Sequence, residues 1–589
     1  MKGFFKIMLA TMAGMLLMGL LLFVFLIIVG VSAGSRSAVV KPNSVLVLDV
    51  GNAEVSERVA SDNPEHILLE GQGIRYIGLN DWQRVLKAAA EDVNIKGISL
   101  EVGHLYASPA TLEAMRAALL QFRKSGKFVY AYGVSMSQGD YYLATAADSV
   151  YLHPQGGMMF GGLSAQVMYY KDFFDKLDVE VQVVRHGQFK SAVEPYISNR
   201  MSEANRLQLS EYLQSIWGTY CTQIAASRRL EMRTLNGVAD NLMLYDNPQA
   251  ALSTRFVDGL LYEDNYRSLL KQRVDPRDTD RVSEVDYADY VAGLSAEKPA
   301  PHKVAVVYAV GTITDGDGSS EEIGENIIEA LQKIRRNKAV KAVVLRVNSP
   351  GGSALMSDRI WNEVNRLKKD IPVVVSMGDY AASGGYYISC AADCIVAEAT
   401  TVTGSIGVFG MVPNLGKTLS HKLGVRVETV NTNRSSDFMS GLRSMSTSEY
   451  DVLQQSVDRI YDTFVHRVSV GRHLNAKYVD GIAQGRVWTG KDAVANGLAD
   501  TLGGLDLAIR IAADQAKLAK YSVIERPVME TFFERLVASM ASVNARLHAG
   551  KVKESRMPQS VAAPYVELEK SLRENQGVQA RLPYIITIR

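Results

Sequence analysis

Internal similarity is the strongest constraint in this chain, because a sequence that writes one pattern twice must fold as two related units. Ser44-Val-Leu-Val-Leu-Asp-Val-Gly51 resembles Lys303-Val-Ala-Val-Val-Tyr-Ala-Val-Gly311, and Lys96-Gly-Ile-Ser-Leu-Glu-Val102 matches Lys341-Ala-Val-Val-Leu-Arg-Val347. Each pair predicts a buried strand. Helical patterns follow near Leu112 to Lys124 and Met356 to Lys369, and then strands at Lys127 to Tyr132 and Pro372 to Met377. Gly139-Asp-Tyr-Tyr-Leu-Ala-Thr-Ala-Ala-Asp148 then aligns without a gap to Gly384-Gly-Tyr-Tyr-Ile-Ser-Cys-Ala-Ala-Asp393. Apolar strands alternating with amphipathic helices require parallel sheet with helical crossovers, so the fold class is α/β in tandem duplicate.

The expected divisions follow. The first repeat runs over residues 41–295, a Pro-containing linker over 296–302, the second repeat over 303–520 and a C-terminal extension over 521–589. Mostly helical stretches, Ser202 to Leu270 and Ser446 to Leu505, close the two copies. The extension contains an amphipathic run, Phe532 to Leu547.

At 589 residues the chain is too long for a single core. Lys+Arg 64 against Asp+Glu 63 gives a net charge of +1, which supplies no field to attract nucleic acid. The three cysteines, Cys221, Cys390 and Cys394, are too few for a disulfide framework and lack zinc-site spacing. Cys390 and Cys394 are expected on one face of a helix. No motif indicates a metal or another cofactor.

Residues 1–40 read as a membrane anchor, because Ile7 to Ala33 carries no charged residue. A spanning helix needs roughly 20 apolar residues, whereas the core of a cleaved signal peptide has about 7 to 15. Val31-Ser32-Ala33 nevertheless resembles a cleavage site. Lys2 and Lys6 precede the span and Arg36 and Lys41 follow it, a slight bias read as a cytoplasmic N-terminus with the globular part outside.

The chemistry-bearing motifs fall at strand-to-helix junctions. In Asn348-Ser-Pro-Gly-Gly352 a glycine pair leaves backbone N–H groups free to face a ligand, as an oxyanion hole requires. In Met377-Gly-Asp-Tyr-Ala-Ala-Ser-Gly-Gly-Tyr386, Ser383 is expected at a helix N-terminus with the Gly384 N–H behind it. A lone serine before two glycines is ordinarily a helix cap.

Its surroundings reverse that reading. NSPGG, the Ala-Ala-Ser-Gly-Gly-Tyr segment and Thr403-Gly-Ser-Ile-Gly407 together resemble the signal peptide peptidase A (protease IV) family, whose fold is that of Clp protease and crotonase. The double-length form of the family matches the duplication. The resemblance implies Ser383 as nucleophile. It carries the general base to Lys190, within Arg185-His-Gly-Gln-Phe-Lys-Ser-Ala-Val-Glu-Pro195, and a lysine-holding role to Ser405. No Gly-x-Ser-x-Gly elbow surrounds Ser383 and no histidine partner is evident. A lysine base must be neutral, so its site must be desolvated. The oxyanion is expected between the N–H groups of Gly352 and Gly384, with Gly351 shaping the turn.

The duplication divides these parts. Gln138 aligns with Ser383, and Gly-His-Leu-Tyr-Ala stands where the second copy has Asn-Ser-Pro-Gly-Gly. Conversely, Ser436 or a neighbour aligns with Lys190. One complete site needs a first copy to meet a second, within a chain or between chains. The resemblance further implies a homo-oligomer, a tetrameric ring, at the inner membrane of a bacterial cell. Its globular part would be periplasmic and its substrates hydrophobic peptides such as cleaved signal peptides. Two other classes compete: an acyl-CoA enzyme of crotonase type, which leaves the serine and lysine segments unexplained, and an inactive membrane scaffold.

Overall fold

The structure, a computed structural model, describes residues 40–59, 74–274, 283–294, 299–319, 321–529 and 577–581, with isolated positions before residue 20. Apart from those isolated positions and Val40, the expected anchor lies outside the described residues, as do the first half of the linker and the run Phe532 to Leu547. Among those described, no helix is long and apolar enough to cross a membrane.

Each copy builds a parallel sheet. In the first, the strand order is Gly259–Leu260, Ser149–Met158, Phe128–Met136, Ile95–Val102, Ser44–Asp49 and Ser283–Asp286. In the second, Val402–Gly404, Val373–Ala382, Val340–Ser349, Lys303–Val310 and Ser522–Arg526 lie side by side in parallel, with Val487–Thr489 added antiparallel at one edge. Both sheets are long apolar runs covered by helices, which is what parallel strands buried on both faces demand. The last strand, Ser522–Arg526, lies beyond residue 520 yet completes the second sheet just as Ser283–Asp286 completes the first.

The two cores are separate apolar clusters centred on Trp82, Tyr141 and Ile216 in one copy and on Ile360, Tyr386 and Phe464 in the other. Hydrogen bonds are duplicated with them. Tyr141 Oη donates to Phe256 O at 3.0 Å and Tyr386 Oη to Leu498 O at 2.9 Å. The Asp148 carboxylate accepts from Val129 N at 2.8 Å, and Asp393 from Val373 N at 2.9 Å.

That last bond corrects one expectation about the cysteines. The helix Gly384–Ser389 stops at Cys390, and Cys394 opens the strand Cys394–Ala397. Asp393 pins the intervening turn to the start of Val373–Ala382, so strand pairing overrides continuation of the helix. The thiols are free and share no helix face.

A third sheet joins the copies. Its order is Glu322–Ile323, Thr312–Ile313, Gly351–Ser353, Gly577–Arg581, Val408–Asn414 and Glu180–His186. Glu180–His186 belongs to the first copy and pairs antiparallel along the whole of Val408–Asn414 from the second. The equivalent segments, 163–169 in the first copy and 424–431 in the second, form no strand.

Candidate active site

Four residues after Glu180–His186 ends, Lys190 enters the second copy, and its side chain is fully buried. The loop that carries it is tied down on all sides. Ser191 Oγ donates to Asn205 Oδ1 at 3.0 Å, and the Glu194 carboxylate accepts from the Ser202 hydroxyl at 2.6 Å and from Asn205 Nδ2 at 3.2 Å. The Lys-Ser-Ala-Val-Glu-Pro run thus docks on the N-terminus of the helix Glu203–Arg228. From the second copy, Gln484 O accepts from Phe189 N at 2.8 Å. Gly485, at φ +79°, lies so close to Lys190 that any Cβ would stand 2.6 Å from its backbone nitrogen.

Ser383 occupies the junction between Val373–Ala382 and the helix Gly384–Ser389 with φ 55° and ψ −114°. For a residue with a Cβ this region costs on the order of 1–3 kcal/mol, and it persists only where neighbours enforce it. Here Ser383 N donates to Gly404 O at 2.8 Å, while its carbonyl accepts from Tyr387 N at 2.8 Å. Its side chain makes no capping bond. Instead Lys190 Nζ lies 2.8 Å from Ser383 Oγ. Nζ also lies 3.0 Å from Ser405 Oγ and 3.1 Å from Ser405 O.

An ammonium would donate to all three oxygens, whereas an uncharged lysine has two N–H groups for Ser405 and one lone pair to turn toward Ser383. Burial pushes Lys190 well below the ordinary lysine pKa, and no neighbouring charge contributes.

The glycine pair sits beside this centre. Gly351 and Gly352 adopt φ 100° and 152°, and a Cβ on Gly352 would stand 2.0 Å from Ile313 O. Ser349 Oγ accepts from Gly351 N at 3.1 Å, which leaves Gly351 as a shaping residue. The Gly384 N–H belongs to the first turn of its helix, where no intrahelical acceptor exists. That helix packs against Gly351–Ser353, and Gly385 permits it, since a Cβ there would stand 2.7 Å from Ser349 O.

In the first copy the corresponding positions are closed. Gln138 begins the helix Gln138–Ala144 and accepts from Gly162 N at 2.9 Å. Asp140 accepts from His104 N at 2.9 Å and Leu105 N at 3.0 Å, filling the region that the glycine pair borders in the second copy. In the second copy, Ser436 is exposed and bonded to Asn433.

Sequence reasoning missed a buried polar network behind the site. Asn348 Oδ1 accepts from Tyr380 N at 3.1 Å, and its Nδ2 reaches Glu57 at 3.0 Å and Asp379 at 3.3 Å. Arg346 pairs with Glu57 at 2.9 Å and also donates to Met377 O at 2.8 Å. Burial, followed by the charge of Glu57, holds the Asp379 carboxyl above the usual range. A charged residue inside a predicted parallel strand, Arg346, was the one available signal.

A strained serine against a buried lysine, beside a glycine pair, is the arrangement of a serine-type peptidase. Comparison with known proteins agrees. The description of Peptidase family S49 matches residues 121–276 and again 365–519, and that of Clp protease matches residues 300–400. "Protease 4" of Haemophilus influenzae is 32% identical over 575 residues, covering 94% of this chain and 92% of that one. "Protease 4" of Salmonella typhi is 35% identical over 549 residues, 90% of this chain and 88% of that one. "Serine protease SPPA, chloroplastic" of Arabidopsis thaliana is 32% identical over 442 residues, 73% of this chain and 64% of that one. The chain belongs to peptidase family S49, as a tandem duplicate with a Clp-protease-like fold.

Proposed function

We propose that this chain is a membrane-anchored endopeptidase in which Ser383 and Lys190 act as a catalytic dyad on hydrophobic peptides, cleaved signal peptides among them. The observation that carries the reading is the 2.8 Å approach of a fully buried Lys190 Nζ to Ser383 Oγ. Neutral Lys190 takes the Ser383 proton, and the alkoxide attacks the peptide carbonyl. The Gly352 and Gly384 N–H groups stabilise the oxyanion. The ammonium then protonates the leaving amine to leave an acyl-enzyme, and neutral Lys190 activates the water that releases it. Ser405 holds Nζ in line throughout.

Anchoring rests on the uncharged run Ile7 to Ala33, and signal-peptide substrates on the family resemblance together with a site held near the bilayer. Assembly with further copies of the chain is supported by the two segments left without strands, 163–169 and 424–431, which are equivalents of the pair that joins the copies within the chain. They expose Met168, Val425, Val427 and Val430. Pairing between neighbours would be head-to-tail and could close a ring.

The test is hydrolysis of a hydrophobic, signal-peptide-like substrate by detergent-solubilised protein, comparing wild type with Lys190→Ala at equal oligomer state. Loss of activity with assembly intact supports the dyad. Retained activity sinks Lys190 as the base.

A further inference from the structure

The third sheet contains a strand that neither repeat explains. Gly577–Arg581, from the far end of the chain, lies antiparallel between Gly351–Ser353 and Val408–Asn414. On one side Gly351 faces Arg581, Gly352 faces Ala580 and Ser353 faces Gln579. On the other, Phe409 faces Gln579 and Gly410 faces Val578. Continuing that second register by two residues brings Arg581 level with Gly407. The Gly407 carbonyl lies 3.5 Å from Ser383 Oγ. The segment therefore passes through a slot between the glycine pair and the strand that follows Gly407, and it reaches the level of Ser383 at Arg581.

This is how an extended peptide would be held for attack. Strand addition recognises backbone rather than side chains, so any chain able to extend can enter. Glycines on the facing strand let the incoming backbone approach closely.

We propose that Gly577–Arg581 is the resident occupant of the peptide groove and that substrate must displace it. The proposal rests on the reading of Ser383 and Lys190 as a peptidase site. A tethered segment competes at an effective concentration that can reach the millimolar scale. Removing it should free the groove.

The direct test uses a fluorescein-labelled pentapeptide, Gly-Val-Gln-Ala-Arg, and fluorescence anisotropy in the Ser383→Ala background, where nothing is turned over. A chain ending at Gln576 is expected to bind the probe about tenfold or more tighter than the full chain. Gln579→Pro in the full chain should behave like the truncation, because proline cannot donate within a central strand. This second variant keeps the rest of the extension. In the Ser383 background, both changes should lower KM for a hydrophobic peptide and leave kcat unchanged. Equal probe binding by all three proteins, or none by any, overturns the proposal. Tighter binding without hydrolysis by any Ser383 protein would sustain the occupant and sink the peptidase reading. Hydrolysis with unchanged KM and no probe binding would do the reverse.

Discussion

Thr111 and Asp379 stand 268 positions apart in the chain, yet the Asp379 carboxylate accepts from the Thr111 N–H at 2.9 Å and from its hydroxyl at 2.8 Å. Thr111 lies in the first turn of the helix Pro109–Arg123, and Asp379 lies four residues before Ser383. A residue of one copy thus caps a helix of the other, and the same carboxylate accepts from Asn348 next to the glycine loop.

Asp379→Asn should lower kcat by about tenfold with little change in KM, because the amide turns an N–H₂ toward groups that need an acceptor. Loss of such a buried partner costs about 1–3 kcal/mol, so the melting temperature should fall as well. Steady-state kinetics and thermal unfolding check both. A fall in melting temperature alone, with kcat intact, would mark Asp379 as purely structural.

Ser383→Ala and Lys190→Ala are each expected to reduce hydrolysis by at least about 10³-fold, and the double variant should be no worse, since residues acting as a unit are not additive. Lys190→Arg should be equally inactive, because a guanidinium does not deprotonate. Single-turnover rates on one substrate preparation decide this.

The buried lysine predicts pH dependence of both rate and stability. Lys190 has a pKa lowered well below the ordinary value by burial, so kcat/KM should rise with pH through that lowered pKa. For stability, the unfolded chain holds the proton in the window between the lowered and the ordinary lysine pKa and the folded chain does not. Stability therefore rises with pH there, by about 1.4 kcal/mol per unit, and the contribution is absent from Lys190→Met. Denaturant unfolding at several pH values should show the methionine variant gaining on wild type as pH falls through the window. A parallel pair of curves would contradict it.

Ser405→Ala removes one acceptor of Nζ but leaves the backbone carbonyl. Activity should fall by about tenfold to a hundredfold, with the pH profile displaced as the lysine loses a fixed partner. An unchanged profile and rate would assign Ser405 to the turn alone.

How much of this was legible in the sequence depended on what holds each part. Buried parallel strands must be apolar runs, so the repeat and both central sheets could be read directly. Ser383 and Lys190 were singled out by motifs that resemble a peptidase family's, and the altered copy of each in the other half told the two halves apart. The torsion of Ser383 was not readable, since serine carries no mark of φ 55° and the constraint comes from Gly404. Thr111, Glu57 and Asp379 form a network across two copies and leave no local pattern. Gly577–Arg581 is held by backbone pairing, which side chains do not announce. Gly424-Val-Arg-Val-Glu-Thr-Val430 alternates as a strand would and yet forms none, so alternation alone does not make a strand where no edge pairs with it.

The pairing of Glu180–His186 with Val408–Asn414 has an evolutionary consequence. An ancestor with both groups in one unit could lose either duplicate and remain whole. Here Asp140 fills the corresponding region of the first copy and no lysine replaces Lys190 in the second, so under the proposed dyad deletion of either half would leave a fragment with nothing to transfer a proton or nothing to receive an acyl group. On that reading the doubling is a one-way step, because neither half could serve alone.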